Sequence, residues 1–116
     1  MITLQSRRAL IVRVLDTPEQ WREGFQHATP DEIAATLLVF AYPQKTDHAY
    51  HMRNVVAPLD IAFLDSDSTI LDIQRMEPNQ VGYHCQKPHQ MAVEARAGYF
   101  SENGYKVGDA FDLPAA

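Results

Sequence analysis

Arg53, Asn54 and Asp60 bracket a turn containing Pro58, and their types suit recognition of a small polar group. Arg53 and Asn54 close one extended segment and Asp60 opens the next. An arginine presents a planar fork to a carboxylate or phosphate, while Asn and Asp add directed donors and acceptors. The same residues also suit a structural role, in which Asn54 and Asp60 tie the turn's own amides and Arg53 pairs with Asp60 or Glu94. Glu94 lies among small apolar residues on an extended segment. In a pocket, its carboxyl would rise in pKa and could serve as an acid or base. Simple alternation instead turns it outward, toward Arg96 or a cross-strand lysine. Arg53, Asn54, Asp60 and Glu94 are the expected ligand-binding set, bordered by the loop 77–90.

Histidine is the other unusual feature. His48 and His51 are three apart, and His84, Cys85 and His89 fall together in the loop. Imidazole and thiolate are ordinary zinc ligands. On a strand, His48 and His51 point to opposite faces, so His51 with His84, Cys85 or His89 is the better subset. Neither Cys-x-x-Cys nor His-Glu-x-x-His spacing is present. A metal-dependent or hydrolytic enzyme using this cluster with Glu94 or Asp60 is one alternative function. Nothing beside Cys85 in sequence lowers a thiol pKa. Asp65-Ser66-Asp67-Ser68 lacks the Gly and distal Glu of a calcium loop and reads as a hairpin turn. Ser-His-Asp order, Gly-x-Ser-x-Gly, a Walker loop and Gly-x-Gly-x-x-Gly are all missing. No catalytic residue, metal or cofactor is assigned.

The elements that must position these residues fit one domain spanning residues 1–116. The chain has 46% hydrophobic and 22% charged residues, ordinary for a folded domain, and enough length to hide about two-thirds of its unfolded surface. A net charge of −5 with no basic run disfavours nucleic acid. One cysteine cannot build an internal disulfide. Arg13 and Asp16 cut short the apolar run after Arg7 and Arg8, so this stretch reads as a strand over 8–15 rather than a signal peptide. With no apolar stretch of spanning length, the expectation is a cytoplasmic protein away from membranes.

Leu10, Val12 and Val14 share one face of that first strand. Thr17-Pro18-Glu19-Gln20 is a capping-box start for the main helix, running to about His27 and burying Trp21 and Phe25. A second start at Thr29-Pro30 gives a single turn before a buried strand over 37–42. Strands are expected at 48–54 and 59–64. The latter forms a hairpin with 69–76 through the Asp65–Ser68 turn. A strand at 91–97, a helical turn at 98–103 closed by Gly104, and a short last strand after Val107-Gly108-Asp109 complete the chain. The fold class is α+β: a β-rich, strongly bent antiparallel sheet or partly closed barrel, with one main helix and one short helical turn.

Met52-Arg53-Asn54-Val55-Val56-Ala57-Pro58-Leu59-Asp60-Ile61-Ala62-Phe63-Leu64-Asp65 resembles the central signature of the domain of unknown function 192 family. That signature reads Trp-Met-Lys/Arg-Asn-Thr, two variable residues, Pro-Leu-Asp-Ile, one variable residue, Phe, one more, Asp. Gly24-Phe25, Phe40-Ala41-Tyr42-Pro43 and Met76-Glu77-Pro78 resemble the family's Gly-Leu-Met, Phe-x-Phe-Pro and Met-x-Pro. Val93-Glu94-Ala95-Arg96-Ala97-Gly98 is similar to its Leu-Glu-x-x-x-Gly, and Gly104–Asp109 to its Gly-x-x-Val-Gly-Asp. The likeness covers about residues 10–113. Departures are His51 for Trp, Val55 for Thr, Gln26 for Met and Leu37 for a usual Gly. The resemblance implies a β-rich α+β domain, often found behind a signal peptide in bacterial and archaeal relatives. The leader missing here fits a cytosolic variant or a domain separated from its leader. The family brings no established activity.

The expected function is therefore non-catalytic binding of a small polar ligand or a peptide segment, by a monomer or homodimer. Besides the metal or hydrolytic enzyme, the other alternative is a protein interaction module that pairs through an exposed strand edge.

Overall fold

Strand-forming segments outnumber helical ones because β-branched and aromatic residues cluster in short runs between Pro, Gly, Asn and Asp. The computed structural model of the protein describes residues 10–113, so the start of the first expected strand, at residues 8–9, lies outside them. In chain order the elements are β1 (Ile11–Leu15), α1 (Pro18–Glu23), α2 (Pro30–Ala35), β2 (Thr36–Thr46), β3 (Tyr50–His51), β4 (Leu59–Leu64), β5 (Ile70–Met76), β6 (Val81–Tyr83), β7 (His89–Arg96) and α3 (Tyr99–Glu102). Five strands form one sheet in the order β1-β2-β7-β4-β5, and β3 pairs with β6 in a separate ribbon. The fold is α+β and sheet-dominated, as expected. The sheet is open rather than barrel-like, and it is mixed, because β1 runs parallel to β2 while the remaining pairs are antiparallel. Parallel neighbours need a crossover, which α1 and α2 supply.

The main helix expected over 18–27 stops at Glu23, and the single turn expected after Thr29-Pro30 is a helix of the same six-residue length. Both begin with a complete capping box, Thr17 with Gln20 and Thr29 with Glu32, and each has Pro in its first turn. α1 stops at Gly24, whose φ of +49° and ψ of −131° leave the helical region. His27 then turns the chain again at φ +66°. Phe25 is buried in this turn, whereas Trp21 on α1 is half-buried and donates its indole N–H to the Leu15 carbonyl at 2.9 Å.

The sheet is covered on both faces. Leu38, Phe40, Ile61, Phe63 and Ala92 belong to one apolar cluster, under the α1–α2 segment and the β3–β6 ribbon. Leu37, Val39, Ala62, Leu64 and Val93 belong to the other, under α3 and Phe111. All six residues of β4 are buried as a result. At the edge, Leu10 and Val12 pack on the second cluster, but Val14 is exposed rather than sharing their burial.

Three expected elements differ. The strand over 48–54 is reduced to Tyr50–His51, because Asn54 takes a left-handed φ of +58° and turns the chain. The loop 77–90 contains β6 and the start of β7. The last strand is a single bridge between Thr69 and Ala110, flanked by Ile70 N–H to Asp109 O at 2.8 Å. None of the described helices is long and apolar enough to cross a membrane.

Candidate functional site

Asp60 and Glu94 end up on opposite sides of the central sheet. Ile61 is the cross-strand partner of Glu94 and Asp60 that of Ala95, and neighbouring strand positions alternate in direction. Asp60 is buried and its charge is met inside the protein: Arg75 Nε donates to Oδ1 and the Gly98 N–H donates to Oδ2 at 2.7 Å. The hairpin register, shifted by an irregularity between Phe63 and Leu64, puts Arg75 directly across from Asp60, a pairing not among those expected. Arg53 pairs with neither Asp60 nor Glu94; it is exposed in the turn after β3. Asn54 is exposed too, donating its side-chain amide to Gln26 Oε1 at 3.0 Å, while its carbonyl accepts the His27 N–H at 2.9 Å. These bonds pin the 52–55 turn to the one following α1. Arg53, Asn54 and Asp60 therefore do not converge.

Glu94 is the residue whose position points to chemistry. Only 3% of its surface is exposed, and its cross-strand neighbours on either side are Leu38 and Ile61, both fully buried. It does not face solvent beside Arg96, which instead pairs with Glu102 at 2.8 Å. Among the described residues no donor bonds the Glu94 carboxyl, and burial alone pushes its pKa up to about 8. A small cleft opens above it, walled by Trp21, Gly24, Phe40, His48, Tyr50 and His51. Its free space is about 10 Å³, room for a single water or one heavy atom. Gly24 forms part of its roof: a Cβ there would lie 3.8 Å from Glu94 Oε1 and 3.7 Å from Phe40 Cζ.

Behind the cleft runs a buried polar line absent from the expected site. Tyr42 and Tyr50 share a hydroxyl–hydroxyl hydrogen bond of 2.7 Å, and Tyr50 Oη lies 2.7 Å from His89 Nε2. Burial raises both phenols, with the nearby Glu94 charge adding to this, and lowers His89 to about 4, so the ring is neutral. His89 Nδ1 is buried with no partner. The sequence signal for this line was two tyrosines in segments otherwise destined for the core, which only the β3–β6 pairing brings beside β2 and β7.

The histidine and cysteine cluster does not assemble. Among the described residues, no three His, Cys, Asp or Glu side chains are placed to share a metal ion. His51 Nδ1 accepts the Arg53 N–H at 3.1 Å, so Nε2 carries the proton and donates to the Arg22 carbonyl at 3.1 Å. His84 is exposed, Cys85 is buried in the first apolar cluster, and His89 is in the polar line.

The profile of the family DUF192, described as an uncharacterized ACR, matches residues 1–113. The chain belongs to the DUF192 family. Two solved structures share the fold of this DUF192 domain. One is a protein of unknown function from Novosphingobium aromaticivorans, with a TM-score of 0.76 and 24% identity over 85% of this chain and 71% of that one. The other, from Sinorhizobium meliloti, is provisionally described as a transcription regulator, with a TM-score of 0.79 and 24% identity over 87% of this chain and 79% of that one. A search of curated proteins finds no match. Within the DUF192 domain, the Asp60–Gly98 bond joins the Pro-Leu-Asp-Ile motif to the Gly of Leu-Glu-x-x-x-Gly. The Glu of that second motif faces the cleft instead.

Proposed function

We propose that this DUF192 domain is a non-catalytic binding domain for a small polar ligand or a peptide segment, and that its site is the Glu94 cleft. One observation carries the reading: a carboxyl group 3% exposed, without a hydrogen-bond partner among the described residues, at the floor of an aromatic-walled opening. Such a carboxyl meets only the water the cleft admits, and a ligand bringing donors into the cleft replaces that water. Of the four expected binding residues, only Glu94 belongs to this site. Binding is favoured over hydrolysis because both nitrogens of His51, one of the two imidazoles lining the cleft, are already hydrogen-bonded to backbone. The net charge of −5 and the single buried cysteine support a cytoplasmic setting away from nucleic acid.

An NMR titration with small polar compounds (alcohols, amides, amines and carboxylates) tests this. Ligand-induced shifts are expected at the Trp21 indole and at residues 22–25, 48–51 and 94. Shifts confined to the Arg53–Asp60 turn, or none anywhere, would overturn it.

A second reading is supported by β1. It is the end strand of the sheet among the described residues, with Ile11 56% and Val14 52% exposed. Pairing of this edge with a protein partner or second copy would cover both. Sedimentation across a concentration series tests self-pairing. Ile11→Lys should dissociate any such dimer, and a concentration-independent monomer would leave the cleft as the site of function.

A further inference from the structure

We propose that the Glu94 cleft takes a primary ammonium group, held by the Glu94 carboxylate and the surrounding aromatic walls. This rests on the binding reading above and names its ligand chemistry.

The central strand β7 fixes the carboxyl between Leu38 and Ile61, where no donor among the described residues bonds it. An ionised carboxylate has about four lone-pair sites to satisfy, and a primary ammonium brings three N–H donors and the opposite charge in one heavy atom. Size selects the same group. Space of about 10 Å³ admits one heavy atom at the floor but not a planar guanidinium or a quaternary ammonium. The rings of Trp21, Phe40 and Tyr50 wall the cleft, and aromatic faces attract cations.

The charged and titratable groups around Glu94 leave that charge unopposed. Tyr42 and Tyr50 lie behind it as neutral phenols, His48 is pushed toward its neutral form by burial, and His51 is held in its Nε2–H form. On α1, Arg22 and Glu23 are adjacent and both line the cleft, so the helix brings no net charge to it from this pair.

Because burial keeps the empty site protonated at neutral pH, ammonium binding must expel a proton. The balance is Glu94–COOH plus R–NH3⁺ giving Glu94–COO⁻ paired with R–NH3⁺, and one H⁺ passing to buffer. A neutral ligand accepting the Glu94 O–H would expel none, which separates the two modes.

The probe is n-butylammonium chloride, with n-butanol as its neutral counterpart, followed through the emission of Trp21, the sole tryptophan. A saturable change is expected with the amine and none with the alcohol. Glu94→Gln should weaken the amine about tenfold or more. Calorimetry at pH 7, in two buffers of different ionisation heat, should show close to one proton released per ligand. In wild-type protein alone, affinity should rise about tenfold from pH 6 to pH 7 and level off above about pH 8. This arm needs no variant to fold. Acetyl-Gly-Lys-Gly-amide in parallel distinguishes the sources: tighter binding than butylammonium identifies a lysine side chain of a peptide, and weaker binding a free alkylamine.

Equal binding of butanol, undiminished binding by folded Glu94→Gln, or pH-independent affinity without proton release would overturn the proposal. If neutral compounds perturb the cleft while the amine does not, the ammonium assignment falls and the binding reading stands. If nothing perturbs the cleft, both fall.

Discussion

The Asp60 carboxylate accepts the backbone N–H of Gly98 at 2.7 Å, across 38 residues of sequence. Gly98 is the N-cap residue of α3 and has no side chain to satisfy that end of the helix. Asp60 places a negative charge there from β4, and Arg75 holds its other oxygen. Asp60 is thus a clamp between the sheet and α3.

Asp60→Ala should therefore destabilise the domain by roughly 2 kcal/mol, most of it from the abandoned Gly98 N–H, since Arg75 is more than half exposed and its ion pair is screened. Urea denaturation measures this. Ligand binding at Glu94 should survive in the folded variant, because the two carboxylates lie on opposite faces; loss of binding without loss of fold would contradict that separation.

Gly98 is constrained from two directions. Its φ is +91°, and a Cβ would meet Glu102 Oε2 at 2.5 Å. Gly98→Ala is expected to cost about 1–3 kcal/mol in backbone strain, with a further loss from pushing Glu102 off Arg96. Adding Glu102→Ala should relieve the clash but not the strain, so the double variant should unfold at a midpoint still below that of Glu102→Ala alone. Equal midpoints would refute the backbone argument.

Stability should fall as pH rises from about 6.5 to 8. Glu94 titrates near 8 in the folded protein against 4.5 for the free side chain. Between those values the unfolded chain releases a proton that the folded chain keeps, which lowers stability by roughly 1.4 kcal/mol per pH unit. His89 acts in the opposite sense between about 4 and 6.5, where the unfolded chain binds a proton that the buried ring refuses. His48 is lowered too, and the upward contribution of both histidines dies away only about one pH unit above 6.5, as the unfolded chain's imidazoles lose their last protons. A net fall in that window therefore comes from Glu94. The urea midpoint should fall between pH 6.5 and 8 in wild type and not fall in Glu94→Gln; a flat or rising wild-type profile would show the carboxyl is not held protonated.

Tyr50→Phe removes the hydroxyl that bridges Tyr42 and His89. Both His89 nitrogens then lack a partner among the described residues, so about 1–3 kcal/mol of stability should be lost. Tyr42→Phe, which leaves the Tyr50–His89 bond intact, should cost less. The order of the two thermal midpoints checks the chain of bonds.

Local signals carried much of the fold. Thr17-Pro18 and Thr29-Pro30 marked both helix starts, because capping is settled within four residues of chain. Asp65–Ser68 marked the β4–β5 turn, with Ser68 at φ +68°. The end of α1 was not legible because Gly24 reads as one weak residue inside a helical pattern; its stop depends on the chain crossing over Glu94. Alternation correctly put Glu94 opposite Val93 and Ala95, but not that both faces of β7 are covered, and coverage decides whether a carboxylate is solvated or buried. Arg53, Asn54 and Asp60 fall within eight residues of sequence, which in a turning chain is no guide to which face each serves.

The strand at the centre of the sheet, β7, is also the last strand in the sequence. A growing polypeptide carries β1–β2 and the β4–β5 hairpin as two half-sheets whose inner edges stay open until His89–Arg96 has been synthesised. Folding on the ribosome must wait for that closing strand, and chains truncated before it should aggregate through the open edges rather than persist as smaller folded pieces.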